Sequence, residues 1–135
     1  MSVPQISVFV ENKKGRVAEV VKTLGRAGFS ISGFSVADVS DYGIVRLLVE
    51  RGDEAHRLLE EKGFTTVVND VVAIALNNVP GALAAALGAL AESGFDAEYM
   101  YLTADRSVVV KVDDVAAVER TLTARGFRLL QLASY

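Results

Sequence analysis

Between Gln5 and Val10 apolar residues fall on alternate positions, with Ile6, Val8 and Val10 on one side and Ser7 and Phe9 on the other. That two-residue period predicts a strand. From Arg16 to Ala27 the period lengthens. Val17, Val20, Val21 and Leu24 share one helical face, and Gly28 supplies a stop. Ile31–Val39 and Ile44–Val49 read as strands joined through the turn-rich "SDYG". Asp53–Lys62 reads as a short helix ending at Gly63, with Ala55, Leu58 and Leu59 inward, and Phe64–Val68 as a closing strand. The same order then recurs: a strand at Val71–Leu76, a helix at Ala82–Glu92, strands at Ala97–Thr103 and Val108–Val112, a helix at Val115–Arg125, and a strand at Arg128–Leu132.

The recurrence is visible residue by residue. At an offset of 66 positions Asn12 falls on Asn78, Gly15 on Gly81, Leu24 on Leu90, Gly28 on Gly94 and Phe29 on Phe95. Later the offset is 63: "EKGF" at Glu61–Phe64 answers "ARGF" at Ala124–Phe127, and Val45, Val49 and Leu59 answer Val108, Val112 and Leu122. The second copy is therefore three residues shorter in its middle, where "TADRS" replaces "ADVSDYG", a segment type that tolerates length change. The alternative is two helix-flanking glycines aligned by chance. Asn69–Asp70 is the only boundary, which gives a first unit at residues 1–69 and a second at 70–135.

Each copy reads βαββαβ, an α+β unit expected to form a four-stranded antiparallel sheet with both helices on one face. In the strand Val71–Leu76 both faces are apolar, so its second face is expected to be covered by the other copy or by a second chain. The alternative is that Ala73 and Ala75 are small residues tolerated at the surface.

Composition removes most catalytic readings. Net charge is −3 and pI about 5.1, which argues against a binder of nucleic-acid backbones. Cysteine is absent, so disulfides, thiolate catalysis and cysteine-based zinc sites are excluded. The single histidine, His56, falls on the outer side of a short polar helix and reads as solvated. Glu60–Glu61 are helix neighbours that do not face each other, and Asp113–Asp114 stand where a helix N-cap belongs. Neither phosphate-cradling glycine motif is present. No catalytic residue, metal ligand or cofactor is expected. The start "MSVPQISVFV" has no basic leader region, and the uncharged run Ala82–Ala91 is too short to span a bilayer, so a cytoplasmic protein without membrane contact is expected.

The two glycine turns remain, each joining the first strand to the first helix. A structural reading makes Asn12 and Asn78 N-caps and puts Pro80 in a helix's first turn. A functional reading adds an anion site: free N–H groups at a helix start, with a glycine that permits close approach, suit a carboxylate.

With these residues in view, "NNVPGAL" before an amphipathic helix, inside a βαββαβ unit, resembles the ACT domain, a regulatory module that binds amino acids. The first copy, "ENKKGRV", matches less well, with Lys14 where Pro80 stands. The resemblance spans Gln5 to Leu132 as a tandem pair, like small stand-alone proteins built of two such domains. It implies two ferredoxin-like units paired side by side, with an amino acid held between a glycine turn of one unit and the second strand of the other. The residues so implied are Asn12, Lys14, Gly15, Arg16 and Val17 in one turn and Asn78, Val79, Pro80, Gly81, Ala82 and Leu83 in the other. On the facing strands they are Ser32 and Phe34, and Glu98, Tyr99 and Met100. Glu98 could accept a ligand ammonium, and Tyr99 or Tyr101 could wall a side chain or simply pack beneath a partner unit. By alternation Tyr99 and Tyr101 share one face, Glu98 and Met100 the other.

Three functions compete. One is a non-enzymatic amino-acid sensor, expected as a homodimer with a free amino acid as its ligand. The second is a regulatory subunit acting through contact with an amino-acid biosynthetic enzyme. The third is RNA binding, since an RNA-recognition domain shares the element order. It needs exposed aromatics with basic neighbours on central strands. The chain is acidic and offers Phe9 and Ala75 there, so no nucleic-acid partner is expected.

Overall fold

A computed structural model of the chain describes residues 3–11, 13–39 and 41–130. Among the described residues ten elements follow one another: β1 (Val3–Glu11), α1 (Arg16–Arg26), β2 (Ile31–Val39), β3 (Tyr42–Val49), α2 (Gly52–Glu61), β4 (Thr65–Ala75), α3 (Ala82–Glu92), β5 (Tyr99–Leu102), β6 (Ser107–Lys111) and α4 (Val115–Ala124). The fold class is α+β with antiparallel strands. The chain divides into two units, Pro4–Asn69 and the segment from Asp70 onward.

In the first unit the strand order is β2-β3-β1-β4. Ile6 pairs with Leu47 and Val8 with Val45, so these four side chains point to the same face. That face meets Val20 and Leu24 of α1 and Ala55 and Leu59 of α2, and all eight residues are 0–1% exposed. Each Leu so buried contributes roughly 1.5–3 kcal/mol. Val17, Phe29, Ile31 and Leu58 close the rim. Gln5, Ser7 and Leu48, on the opposite face, are buried as well.

The second unit repeats the plan with order β4-β6-β5. Val72 and Ile74 pair with Val110 and Val108, and this face meets Ala86, Ala89 and Leu90 of α3 and Val118 and Leu122 of α4. Asp114 caps α4, its carboxylate accepting from the Ala117 N–H at 3.0 Å. Val71, Ala73 and Val109 face away from the helices and are 0–1% exposed, so Ala73 is no tolerated surface residue.

Four expectations need correction. The strands placed at Phe64–Val68 and Val71–Leu76 are one, because β4 runs through Asn69 and Asp70, where the two units meet in sequence. The closing strand placed at Arg128–Leu132 is reduced to a bridge between Leu129 and Ile74; Leu132 lies outside the described residues. That bridge still rests on two ladder bonds, Ala75 N–H to Arg128 O at 2.8 Å and Leu130 N–H to Ala73 O at 2.9 Å. The strand placed at Ala97–Thr103 spans only Tyr99–Leu102. His56 is only partly exposed: its Nδ1 lies 2.7 Å from Thr66 Oγ1 and its Nε2 3.1 Å from Glu60 Oε1.

Candidate functional site around the Gly81 turn

The two glycine turns have the same backbone. Gly15 and Gly81 both have φ 88°, with ψ −6° and −5°. In the first turn Lys13 N–H donates to Glu11 O (2.7 Å), Arg16 N–H to Lys13 O (3.3 Å) and Glu19 N–H to Gly15 O (3.0 Å). In the second, Val79 N–H donates to Asn77 O (2.9 Å), Ala82 N–H to Val79 O (3.3 Å) and Ala85 N–H to Gly81 O (2.9 Å). Every bond recurs at the same offset of 66 positions. The i to i+3 bond with glycine left-handed at its third residue is a type II turn, for which Pro80 occupies the favoured second position.

This corrects the cap assignment. The residue flanking each helix start is the glycine itself, with no side-chain cap bond, so Asn78 is not an N-cap and Pro80 lies before the helix. Asn12 lies outside the described residues. A Cβ on either glycine would meet no atom within 4 Å. What glycine supplies is therefore the left-handed backbone and an unobstructed approach to the first-turn N–H groups, which no helix carbonyl can reach.

Two cavities flank the Gly81 turn within the second unit. One, of about 300 Å³, is lined by Leu76, Asn77, Asn78, Val79, Ala82, Leu83, Leu102, Thr103 and Arg106. The other, of about 390 Å³, runs from Val79, Pro80, Gly81 and Ala82 to Ala85, Gly126, Phe127 and Arg128. Each holds one arginine and no acid. Among the described residues neither guanidinium has an ion-pair partner. The positive end of α3 points the same way, so the turn favours an anion from three directions.

Arg106 is brought there by the short β5–β6 connection. Thr103 N–H donates to Ser107 O (2.9 Å), Arg106 N–H to Thr103 O (3.2 Å), and Ser107 N–H to Thr103 Oγ1 (3.0 Å). The Thr103 hydroxyl also bonds the Asp105 carboxylate. Arg106 closes this loop in the left-handed region, φ 62°, and its carbonyl accepts from Leu76 N–H at 3.0 Å. The loop is thereby tied to the end of β4, beside the glycine turn.

Of the predicted residues, Asn78, Val79, Ala82 and Leu83 meet in the smaller cavity, and Val79, Pro80, Gly81 and Ala82 in the larger. Val79 is 59% and Leu83 38% exposed, an apolar mouth. Glu98, Tyr99 and Met100 line neither cavity. Tyr99 and Tyr101 pair with Lys111 and Val109, and Met100 and Leu102 with Val110 and Val108, as the alternation required. In the first unit Lys14 is exposed at the turn. Phe34 pairs with Leu47 on the helix side of β2, and the Ser32 hydroxyl donates to Leu48 O at 3.2 Å. Val17 packs on the core, while the Arg16 guanidinium pairs with Glu19 and stacks on Phe64, 5.0 Å from the ring centre. Sequence reasoning missed Leu102, Thr103, Arg106, Phe127 and Arg128. The one available signal was "TADRS", a turn segment bearing an arginine where the copies differ in length.

Among the described residues no cluster of three His, Asp or Glu could hold a metal ion, and no helix is long and apolar enough to cross a membrane.

No curated protein matches the chain. A protein of Bacteroides thetaiotaomicron is 35% identical, covering 98% of this chain and 94% of its own, with a TM-score of 0.90. The regulatory subunits of aspartate kinase from Thermus thermophilus and Thermus flavus are each 19% identical, with TM-scores of 0.64 and 0.60. These alignments cover 91% and 90% of this chain and 92% and 90% of the two subunits, and they share its fold. The family model of the ACT domain pair matches residues 1–125, and the chain belongs to that family.

Proposed function

We propose that the chain is a non-enzymatic regulatory protein that binds a free amino acid at the Gly81 turn. The carrying observation is the cavity of about 300 Å³ that sets Arg106 and the α3 N-terminus beside an apolar mouth. The ligand carboxylate meets Arg106 and the first-turn N–H groups. Its ammonium meets the Asn77 and Asn78 side-chain carbonyls. Val79, Leu83 and Leu102 take an uncharged, apolar side chain. The volume lies at the low end of ligand pockets, roughly 300–1,000 Å³. Thermal-shift screening against the twenty amino acids tests the reading. A rise in melting temperature with one or a few uncharged amino acids supports it, and no rise at millimolar ligand refutes it.

A second reading makes the chain a regulatory subunit of an amino-acid biosynthetic enzyme. It is favoured by the shared fold with regulatory subunits of aspartate kinase. Co-purification of one such enzyme from the native host supports it. Self-association is proposed on separate grounds: Phe34 and Val36 on β2, and their counterparts Met100 and Leu102 on β5, are 43–57% exposed. Light scattering returning a monomer refutes the homodimer.

A further inference from the structure

The two copies differ in charge where their helices meet. In the second unit Arg125 follows α4 and clasps the end of α3. Its Nη2 lies 2.6 Å from Glu92 Oε2, and its Nη1 donates to Ala89 O at 3.2 Å and Ser93 Oγ at 3.3 Å. By the repeat, Lys62 stands in the first unit where Arg125 stands in the second, and Arg26 stands where Glu92 stands. The carboxylate of the clasp is replaced by a cation. Lys22, one turn earlier on α1, adds another where the second copy has Gly88.

The result is a cleft rather than a clasp. Two adjoining cavities, of about 260 and 380 Å³, share Thr23, Arg26 and Lys62. Lys22 lines the first, and Leu58 floors the second. The only acid lining either is Glu19, which is taken up by Arg16. Among the described residues Lys22, Arg26 and Lys62 have no ion-pair partner. Each of Arg26 and Lys62 ends a helix, where the dipole favours a cation and offsets part of their repulsion. That explains why two cations are tolerated there, but not why the counter-charge present in the other copy's clasp is missing. The chain as a whole is acidic, at −3, so this cleft runs against its net charge.

We propose that the α1–α2 cleft of the first unit binds a phosphate group carried by a small molecule. Its oxygens take the place that the Glu92 carboxylate holds in the other copy, bridging Arg26 and Lys62 with Lys22 as third partner. A phosphate dianion matches three cations better than one carboxylate, and the Leu58 floor accommodates an uncharged body attached to it. The site is separate from the Gly81 turn and stands or falls without it.

The test is binding of inorganic phosphate and pyrophosphate to the full chain, read as change in melting temperature against chloride at equal ionic strength. Arg26→Glu should rebuild the clasp of the second copy. It should melt higher than wild type in chloride, and bind pyrophosphate about tenfold more weakly or worse. Lys62→Gln should weaken binding similarly without the gain in stability, and keeps the test open if Arg26→Glu fails to fold. A response in wild type that both variants lose supports the site. The proposal is overturned by no response in wild type, by an equal response in the variants, or by binding of an oligoglutamate peptide without binding of either phosphate.

Discussion

The Arg16 guanidinium lies 5.0 Å from the centre of the Phe64 ring. Its counterpart in the second copy is Ala82, and the counterpart of Phe64, Phe127, looks into a cavity of about 390 Å³ instead. Identical turns therefore carry different surroundings: Arg16 stacks on Phe64 after the first, whereas Ala82 and Phe127 line a cavity beside the second. The stack adds about 0.5–1 kcal/mol at such a half-exposed site. Arg16→Ala should lower stability by that amount in urea denaturation. Installing the same pair and stack with Ala82→Arg and Ala85→Glu should raise it comparably.

Gly15 and Gly81 share their backbone angles, and neither faces a clash at Cβ. Alanine at either position should cost about 1–2 kcal/mol from left-handed strain alone. The two costs should agree closely. Unequal losses by chemical denaturation would mean that the turns are not equivalent in backbone.

Arg106 combines strain with charge. Its φ of 62° is a conformation that glycine adopts freely. Arg106→Gly should therefore raise stability by about 1 kcal/mol while weakening amino-acid binding. Melting and titration on the same variant should move in opposite directions. A purely structural arginine would leave ligand binding unchanged.

Glu11 carries a perturbed carboxylate: its hydrogen bond to Lys13 and the Lys13 charge hold its pKa below the ordinary value. Their separation is 2.8 Å. Because the folded pKa is depressed, the stabilisation is complete above the ordinary carboxylate range and fades as pH falls through the folded value. Lys13→Ala should return the Glu11 titration, followed by NMR of its side-chain carboxyl, toward the ordinary value. An unmoved titration would remove Lys13 as the cause.

Much of the fold was legible because burial follows period. Ile6 and Val8 alternate and Val20 and Leu24 stand four apart, and those residues form the core. The repeat alone marks the matched turns at Gly15 and Gly81. The cap chemistry was misread because an asparagine before a helix usually caps it, whereas here Pro80 and Gly81 form a turn that leaves the glycine at the helix start. Asn69–Asp70 separates the two copies in sequence, and β4 runs through both residues as one strand, which the short turn-forming pair did not show. Arg106 was invisible as a site residue because its placement depends on a long-range bond, Leu76 N–H to Arg106 O, that no local pattern encodes.

Titration calorimetry of wild type and Arg106→Gln against the twenty amino acids decides whether the Gly81 turn is an amino-acid site. At least one amino acid with an uncharged side chain should bind wild type, and its affinity should fall about tenfold or more in the variant, which keeps the fold. Absence of binding to wild type at millimolar ligand, or equal binding by the two proteins, would contradict the assignment.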